Sequence, residues 1–319
     1  ALAASMKHIF MGQPGETYFS TSDIGWVVGH SYIVYGPLIA GMATIMYEGL
    51  PIRPDAGIWW SLVERFKVTS MFSAPTAVRV LKKQDPAFLK KYDLSSLRAL
   101  FLAGEPLDEP TAKWISDSLG RPIIDNYWQT ETGWPILGLC NGVEKQTSKF
   151  GSPGKPVYGY DVKLIDEATG QELTGANEKG VVAIEGPLPP GCMQTVWRDD
   201  ARFVKTYWKS IPGRLVYSTF DWGIRDADGY FFILGRTDDV INVAGHRLGT
   251  REIEEDAGAG AVRHGNGAGV GELVREAQRL AGGADRQIRA AVAVEISGGE
   301  RKAELVVGLA RADDRILCP

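Results

Sequence analysis

Between Asp125 and Gly133 the chain reads Asp-Asn-Tyr-Trp-Gln-Thr-Glu-Thr-Gly, directly after the apolar lead-in Pro122-Ile123-Ile124. A buried strand ending in such a cluster can do several jobs at once. An aromatic face can cover a purine, hydroxyls can bind phosphate oxygens, and a carboxylate can hold Mg²⁺. The same composition also suits a polar loop after a strand. A second cluster runs from Tyr217 to Arg236. Asp221 there follows a strand pattern and can accept from two vicinal hydroxyls, and Arg236 ends the next strand with a fork suited to a sugar or phosphate; a solvated hairpin with a surface ion pair is the plainer alternative. A third, Thr237–Glu255, holds an Asp238-Asp239 turn and a flexible basic loop with Gly245, His246, Arg247 and Gly249 before an acidic helix start. It reads as a linker between domains, and a linker can also be a hinge.

The elements that must position these clusters follow from the apolar periodicity. Ile58–Phe66 has helical spacing, and Val68–Phe72 reads as the strand after it. Pro75–Lys83 opens with a helix-initiating proline and closes on lysines that suit the helix dipole. Leu97–Leu102 is a short apolar run before Gly-Glu-Pro, hence a buried strand entering a turn. Pro110–Leu119 is amphipathic, and Gly120 stops it. Residues 31–46 form the most apolar stretch, broken by Gly36, Pro37 and Gly41. It is too short to span a bilayer and reads as a buried strand or helix. This alternation predicts an α/β layer with a largely parallel sheet through about residue 150. From 150 to 236 the pattern changes to short strands at Val162–Ile165, Val181–Ile184, Leu215–Thr219 and Tyr230–Leu234. Asp228-Gly229 supplies a hairpin turn, so a mostly β subdomain is expected there.

Composition narrows the function classes. The 319 residues are 44% hydrophobic and 23% charged with a formal net charge of −4, an ordinary globular balance without a nucleic-acid or membrane signature. Cys140, Cys192 and Cys318 are far apart, and His8, His30, His246 and His264 are scattered. Neither set has disulfide or metal-site spacing, so a reducing, cytoplasmic compartment is expected. The chain opens at Ala1 without a basic region ahead of an apolar stretch, unlike a signal peptide. His30 reads as a structural histidine. Residues 151–156 (Gly-Ser-Pro-Gly-Lys-Pro) lack phosphate-loop spacing and read as a turn, as does the segment 186–191.

Four segments in order, Ser22–Leu38 (SDIGWVVGHSYIVYGPL), Leu102–Pro106 (LAGEP), Tyr127–Gly133 (YWQTETG) and Gly235–Thr250 (GRTDDVINVAGHRLGT), resemble the adenylate-forming acyl-CoA synthetases, in particular the acetyl- and propionyl-CoA synthetase branch. The resemblance covers about residues 1–255. It implies a large adenylation domain of layered sheets and helices (partial here, 1–237, with 150–236 as its β subdomain) and, from 238 to 319, a hinge and the start of a small α+β C-terminal domain. It also implies a two-step reaction with ATP, CoA and Mg²⁺, in which a small carboxylic acid becomes an acyl-adenylate and then a thioester. Carried over by position, Gly104, Glu105 and Pro106 line the adenine site and Tyr127 stacks on the base. Asp125, Gln129 and Thr130 belong to the nucleotide site, with Thr130 at the α-phosphate and Glu131 helping to hold Mg²⁺. Asp221 and Arg236 bind ribose, and Arg247 approaches phosphate. Asp238 is the hinge, and Ala74 and Gly245 lie near the CoA tunnel.

The same resemblance bears on the acid. Trp128 stands where long-chain relatives typically carry Gly, and a ring there closes the channel. Val27 and Val28 line the same pocket. Ala103 stands where acetyl-CoA synthetases typically carry Val, and the space released favours propionate over acetate, since each methylene is worth roughly 1–3 kcal/mol of discrimination.

The sequence also departs from the family. The Ser/Thr/Gly-rich phosphate loop is expected before the region where this chain starts. Lys302 is the only lysine after residue 236 and sits in Glu-Arg-Lys-Ala-Glu-Leu, unlike the family's catalytic-lysine context; losing such a contact costs about 2.7–4 kcal/mol by analogy with other transition-state donors. After Glu255 the text turns rich in Gly, Ala and Arg, and no aromatic residue occurs from Ile233 to Pro319. A reading-frame change gives such a break, and a diverged C-terminal domain is the alternative. Helix is expected at Gly271–Ala281 and strands at Ala290–Ile296 and Glu304–Leu309. A shortened α/β layer is expected to expose apolar surface and a sheet edge. Three functions follow: an acid–thiol ligase by ancestry, a non-catalytic nucleotide-binding remnant, which the missing phosphate loop and lysine context favour for this polypeptide on its own, and, less fitting to Trp128 and Gly245–Thr250, an adenylation domain serving a carrier protein. The sequence is silent on oligomeric state.

Overall fold

A computed structural model of the chain describes residues 1–105 and 107–237 and, as backbone, two short strands at 240–243 and 246–249. Two compact units divide after Ile233. In the first, α1 (Leu2–His8) precedes β1 (Thr17–Ser20); α2 (Val27–Gly29), a π-helical turn (His30–Tyr35) and α3 (Gly36–Ile39) lead to β2 (Ala43–Ile45). Then come α4 (Ile58–Phe66), β3 (Val68–Ser73), α5 (Pro75–Lys82), α6 (Ala87–Lys90), β4 (Ala99–Leu102), α7 (Glu109–Leu119) and β5 (Ile123–Asp125). The strands form one parallel sheet in the order β2-β1-β3-β4-β5. This is the expected α/β layer, with boundaries within a residue or two of those read from periodicity. The apolar stretch at 31–46 is both helix and strand, because Gly41, at φ 73, breaks it between the two.

Two-residue alternation divides the sheet into two wet-free faces. Phe19, Met71, Leu100 and Ile123 stand in one register row and pack on Trp60, Val63, Val78 and Ile115 from α4, α5 and α7. Tyr18, Phe72, Phe101 and Ile124 face the other way, where Phe10 meets Tyr18, Tyr32, Phe72 and Phe101 edge-on. Helix α7 has the signals its sequence promised. Asp108 accepts from the Thr111 N–H at 2.9 Å, Pro110 stands in the first turn, and Gly120 closes the helix at φ 59, a left-handed conformation that costs a residue with a Cβ.

The chain then adds a two-stranded ladder, β6 (Leu137–Gly138) with β7 (Lys155–Pro156), and the antiparallel strands β8 (Asp161–Ile165), β9 (Gly180–Glu185), β10 (Tyr217–Arg225) and β11 (Phe231–Arg236), ordered β11-β10-β9-β8. The short helix α8 (Asp200–Phe203) runs into a second π-helical turn, Val204–Trp208, between β9 and β10. Asp226 and Gly229 close the β10–β11 hairpin, as the Asp228-Gly229 pair predicted. In the second unit, β12 (Val240–Val243) and β13 (His246–Gly249) form an antiparallel hairpin that sets Asn242 opposite Arg247. The elements expected beyond residue 255 lie outside the described residues. Trp26, Tyr35, Leu38, Ile39, Met46 and Leu50 are exposed, so the stretch at 31–46 is buried only in part, at Tyr32, Ile33, Gly36, Pro37 and Met42, and not throughout as its composition predicted. Among the described residues no helix is long and apolar enough to cross a membrane.

The amino end of the sheet is tied by one ion pair. Arg98, entering β4, holds both oxygens of Glu16, entering β1, and donates to the Met11 carbonyl at 2.6 Å. The bonds from Arg98 hold the Glu16 carboxyl below the ordinary glutamate range. A depressed folded-state pKa stabilises the fold fully above the unfolded value, and the contribution is lost as pH falls through the folded one. Stability of the chain should therefore decline below about pH 4.3, and Glu16→Gln should flatten part of that limb in urea titrations taken at successive pH values.

Candidate functional site

All five strands of the parallel sheet point the same way, so their carboxyl ends share one edge, the usual place for a ligand in such sheets. Register sets Ser73 beside Leu102 and Leu102 beside Asp125. Ala74, Ala103–Glu105 and Asp125–Gly133 therefore emerge side by side from three adjacent strands. Gly104 turns at φ 106 with nothing near the place of a Cβ, so backbone conformation alone calls for glycine there. Glu105 is drawn to the start of α5, accepting from Thr76 and pairing with Arg79 at 3.1 Å. Ala74 is the residue at that helix's N-cap. Asn126 locks two strand ends together: its backbone N–H and side-chain amide both donate to the Leu102 carbonyl, at 2.8 and 3.2 Å.

The antiparallel sheet delivers Asp221 to this edge through an irregularity in β10. Ser218 pairs with Ala183 and Trp222 with Val181, so β10 takes four steps where β9 takes two. Phe220 sits in the surplus at φ 59, a conformation a bulky side chain rarely adopts and one that bulges near functional sites often contain. Thr219 anchors the bulge by donating to the Val182 carbonyl at 2.7 Å. Asp221, only 7% exposed, meets two donors from the segment that follows β5. The Tyr127 hydroxyl donates to its Oδ2, and Gln129 Nε2 reaches the same oxygen at 3.1 Å and the Thr219 carbonyl at 2.6 Å. Tyr217 then donates to Gln129 Oε1 at 3.1 Å, which fixes the amide's orientation. Burial first, then the Asp221 charge, pushes the Tyr127 phenol well above its ordinary range.

Glu131 joins the same cluster. Its backbone carbonyl accepts from the Met193 N–H at 2.7 Å, and its Oε1 accepts from the Tyr207 hydroxyl at 3.0 Å. Tyr207 stacks on Tyr217, centroids 5.5 Å apart and planes 4° from parallel. Thr130 is exposed beside them. A neighbouring apolar group is separate but adjacent in sequence: Trp128 packs on Tyr32 and Phe72, each at 5.7 Å between centroids, and Ala103 and Val28 belong to the same cluster. Val27, the first residue of α2, is partly buried.

The structure thus joins Tyr127, Gln129, Glu131 and Asp221 in one hydrogen-bonded and stacked network, with Asp125 at the strand end that leads into it. Arg236 ends β11 in the second unit and is exposed, and Arg247 lies in the backbone of β13. Pro106, Asp238 and Gly245 lie outside the described residues. Tyr207 and Tyr217 are members that sequence reasoning left without a role. The aromatic density of residues 203–208 (Phe-Val-Lys-Thr-Tyr-Trp) was the available signal. Among the described residues, no group of three or more His, Cys, Asp or Glu side chains is arranged to hold a metal alone.

Comparison with known proteins adds a lineage to this geometry. Residues 1–197 match the family model described as AMP-binding enzyme. Over 255 residues the chain is 68% identical to a propionate–CoA ligase of Salmonella typhimurium and 68% identical to one of Escherichia coli, covering 80% of this chain and 40% of each relative. An acetyl-coenzyme A synthetase of Phycomyces blakesleeanus is 44% identical over 256 residues, 79% of this chain and 37% of that protein. The chain therefore spans well under half the length of these relatives.

Removing the Tyr127 hydroxyl tests the network directly. Tyr127→Phe leaves a buried carboxylate one donor short and should cost about 1–3 kcal/mol in urea unfolding. Its raised phenol pKa contributes stability that is complete below the unfolded value near about 10 and lost as pH rises. The variant should accordingly lose less stability than the parent across that alkaline range; equal slopes and equal midpoints would remove Tyr127 from the network.

Proposed function

This chain belongs to the AMP-binding enzyme family, and from that premise we propose that it carries the nucleotide and acyl sites of a short-chain acyl-CoA synthetase. The reaction joins a small carboxylic acid to CoA at the expense of ATP. The acid's carboxylate attacks the α-phosphorus and displaces pyrophosphate, giving acyl-AMP; the CoA thiol then attacks the acyl carbon and displaces AMP. One observation carries the reading: the hydrogen-bonded cluster of Tyr127, Gln129 and Asp221 stands at the carboxyl edge of the sheet, and its sequence neighbour Trp128 enters an apolar cluster with Ala103 and Val28. A polar ribose-type acceptor and a short apolar enclosure beside it are what an acyl-adenylate requires.

In this reading Gly104, Glu105 and Pro106 line the adenine site, the Tyr127 ring stacks on the base, and Asp125 and Gln129 belong to the same nucleotide site. Asp221 accepts from the ribose hydroxyls, Arg236 assists, and Thr130 donates to the α-phosphate. Ala74 borders the pantetheine of CoA. For Arg247, Asp238 and Gly245 the resemblance alone supplies the roles: phosphate, hinge and CoA tunnel. Mg²⁺ would supply positive charge to the phosphates; Glu131 fits it, because a cation that keeps waters and binds phosphates needs one or two protein carboxylates rather than a full cage.

The acid is propionate. The relatives named propionate–CoA ligase support this, as does the small Ala103 side chain facing the same cluster as Trp128. The test measures AMP binding and pyrophosphate release by the chain with ATP, Mg²⁺ and propionate, and acyl-CoA formation from acetate, propionate or butyrate by a version restored to the length of the relatives. The expected result is binding of AMP by the chain and the fastest reaction with propionate in the restored version, where Ala103→Val should shift the preference toward acetate by roughly tenfold or more. AMP binding by the chain without release would instead identify a nucleotide-binding remnant.

A further inference from the structure

The π-helical turn Val204–Trp208 places one residue, Tyr207, where it touches both halves of the site. Its hydroxyl donates to Glu131 Oε1 at 3.0 Å. Its ring is held on three sides: stacked on buried Tyr217, tilted against Phe203 at 5.7 Å, and edge-on to Phe220 at 6.0 Å. Phe220 is the strained residue of the bulge that presents Asp221, and Tyr217 donates to Gln129, which donates to Asp221. A ring so confined has one direction for its hydroxyl. The backbone of Glu131 is also fixed, by the Met193 N–H. The carboxylate therefore cannot turn about its stem without losing Tyr207, and Oε2 accepts no hydrogen bond among the described residues. π-Helical turns of this kind recur at functional sites because the extra residue re-aims a side chain.

We infer that Tyr207 is a positioning residue: it holds Glu131 by one oxygen so that the other faces the phosphate-bound cation, and its stack on Tyr217 couples that carboxylate to the ribose acceptor Asp221. The assignment rests on the nucleotide reading above and adds to it a residue that sets cation affinity without touching substrate. Outer partners of this kind orient a carboxylate before the cation arrives, which lowers the cost of ordering it on binding.

Calorimetry on the whole chain tests it with three probes: AMP, ATP without divalent cation, and ATP with Mg²⁺. Tyr207→Phe keeps the stack and deletes the hydroxyl. It should leave the affinities for AMP and for cation-free ATP unchanged and weaken the Mg²⁺-dependent gain in ATP affinity about tenfold, the lower end of the effect of removing such a partner. Glu131→Gln should lose the same gain, and adding Tyr207→Phe to it should change nothing further, as expected of two groups acting through one contact. An unchanged Mg²⁺ gain in Tyr207→Phe, with AMP bound normally, overturns the inference alone. A parallel fall in AMP affinity also overturns it, because the hydroxyl would then be supporting the fold. Failure of the unsubstituted chain to bind AMP would overturn the nucleotide reading and this inference with it.

Discussion

A carboxyl group withdrawn from water needs donors in place of its lost hydration, and Asp221 shows how much structure that demand organises. Two of its donors, Tyr127 and Gln129, come from the segment just past the end of β5. The contact therefore fastens the antiparallel layer to the carboxyl edge of the parallel one. Gln129 has no freedom left after it, since its amide gives both protons away and its oxygen accepts from Tyr217. The network is satisfied rather than partial, which in a low-dielectric setting separates a rigid polar junction from a costly one.

Geometry elsewhere serves this junction. Register in the parallel sheet aligns Ser73, Leu102 and Asp125, so three loops leave from one line. Beneath it, Phe10 and its ring of aromatic neighbours fill one face and the Trp60–Ile115 group fills the other. At the opposite end of the strands, Arg98 and Glu16 tie β4 to β1. The bulge in β10 is the exception to regularity, and it is placed where Asp221 must leave the pleat. A continuous strand would pair Asp221 with β9 in ordinary alternation; two surplus residues and the left-handed Phe220 re-aim it.

Much of this was legible in the residues. Ile58–Phe66, Pro75–Lys82 and Glu109–Leu119 carry helical spacing and end signals that depend on local chemistry alone. The short apolar runs before Gly104 and Asn126 are strands because their flanking turns leave no room for a helix. The chemistry of Asp125–Gly133 was also visible as composition, and the motif order pointed to the AMP-binding enzyme family that the comparison identifies. Tyr207 was not legible. Its spacing to Glu131 is 76 residues, and nothing local to Phe-Val-Lys-Thr-Tyr-Trp states which carboxylate its hydroxyl meets.

Sequence by itself determined helices α4, α5 and α7, strands β3 and β4, the layer type and the residue types offered at each strand end, because those depend on neighbours a few positions away: apolar period, caps and turn residues. It did not give α1, β1, α6 or α8, and it ended β10 at Thr219 where the strand runs to Arg225. Only the tertiary structure decided that Tyr127 and Gln129 share the oxygen of Asp221, that Trp128 packs on Tyr32 and Phe72, and that Glu131 is held by Tyr207. Those outcomes depend on which strand lies beside which, on two surplus residues in β10, and on burial that makes an unsatisfied carboxylate too costly to keep. They are properties of distances across the chain, and no local pattern encodes a distance between residues 127 and 221.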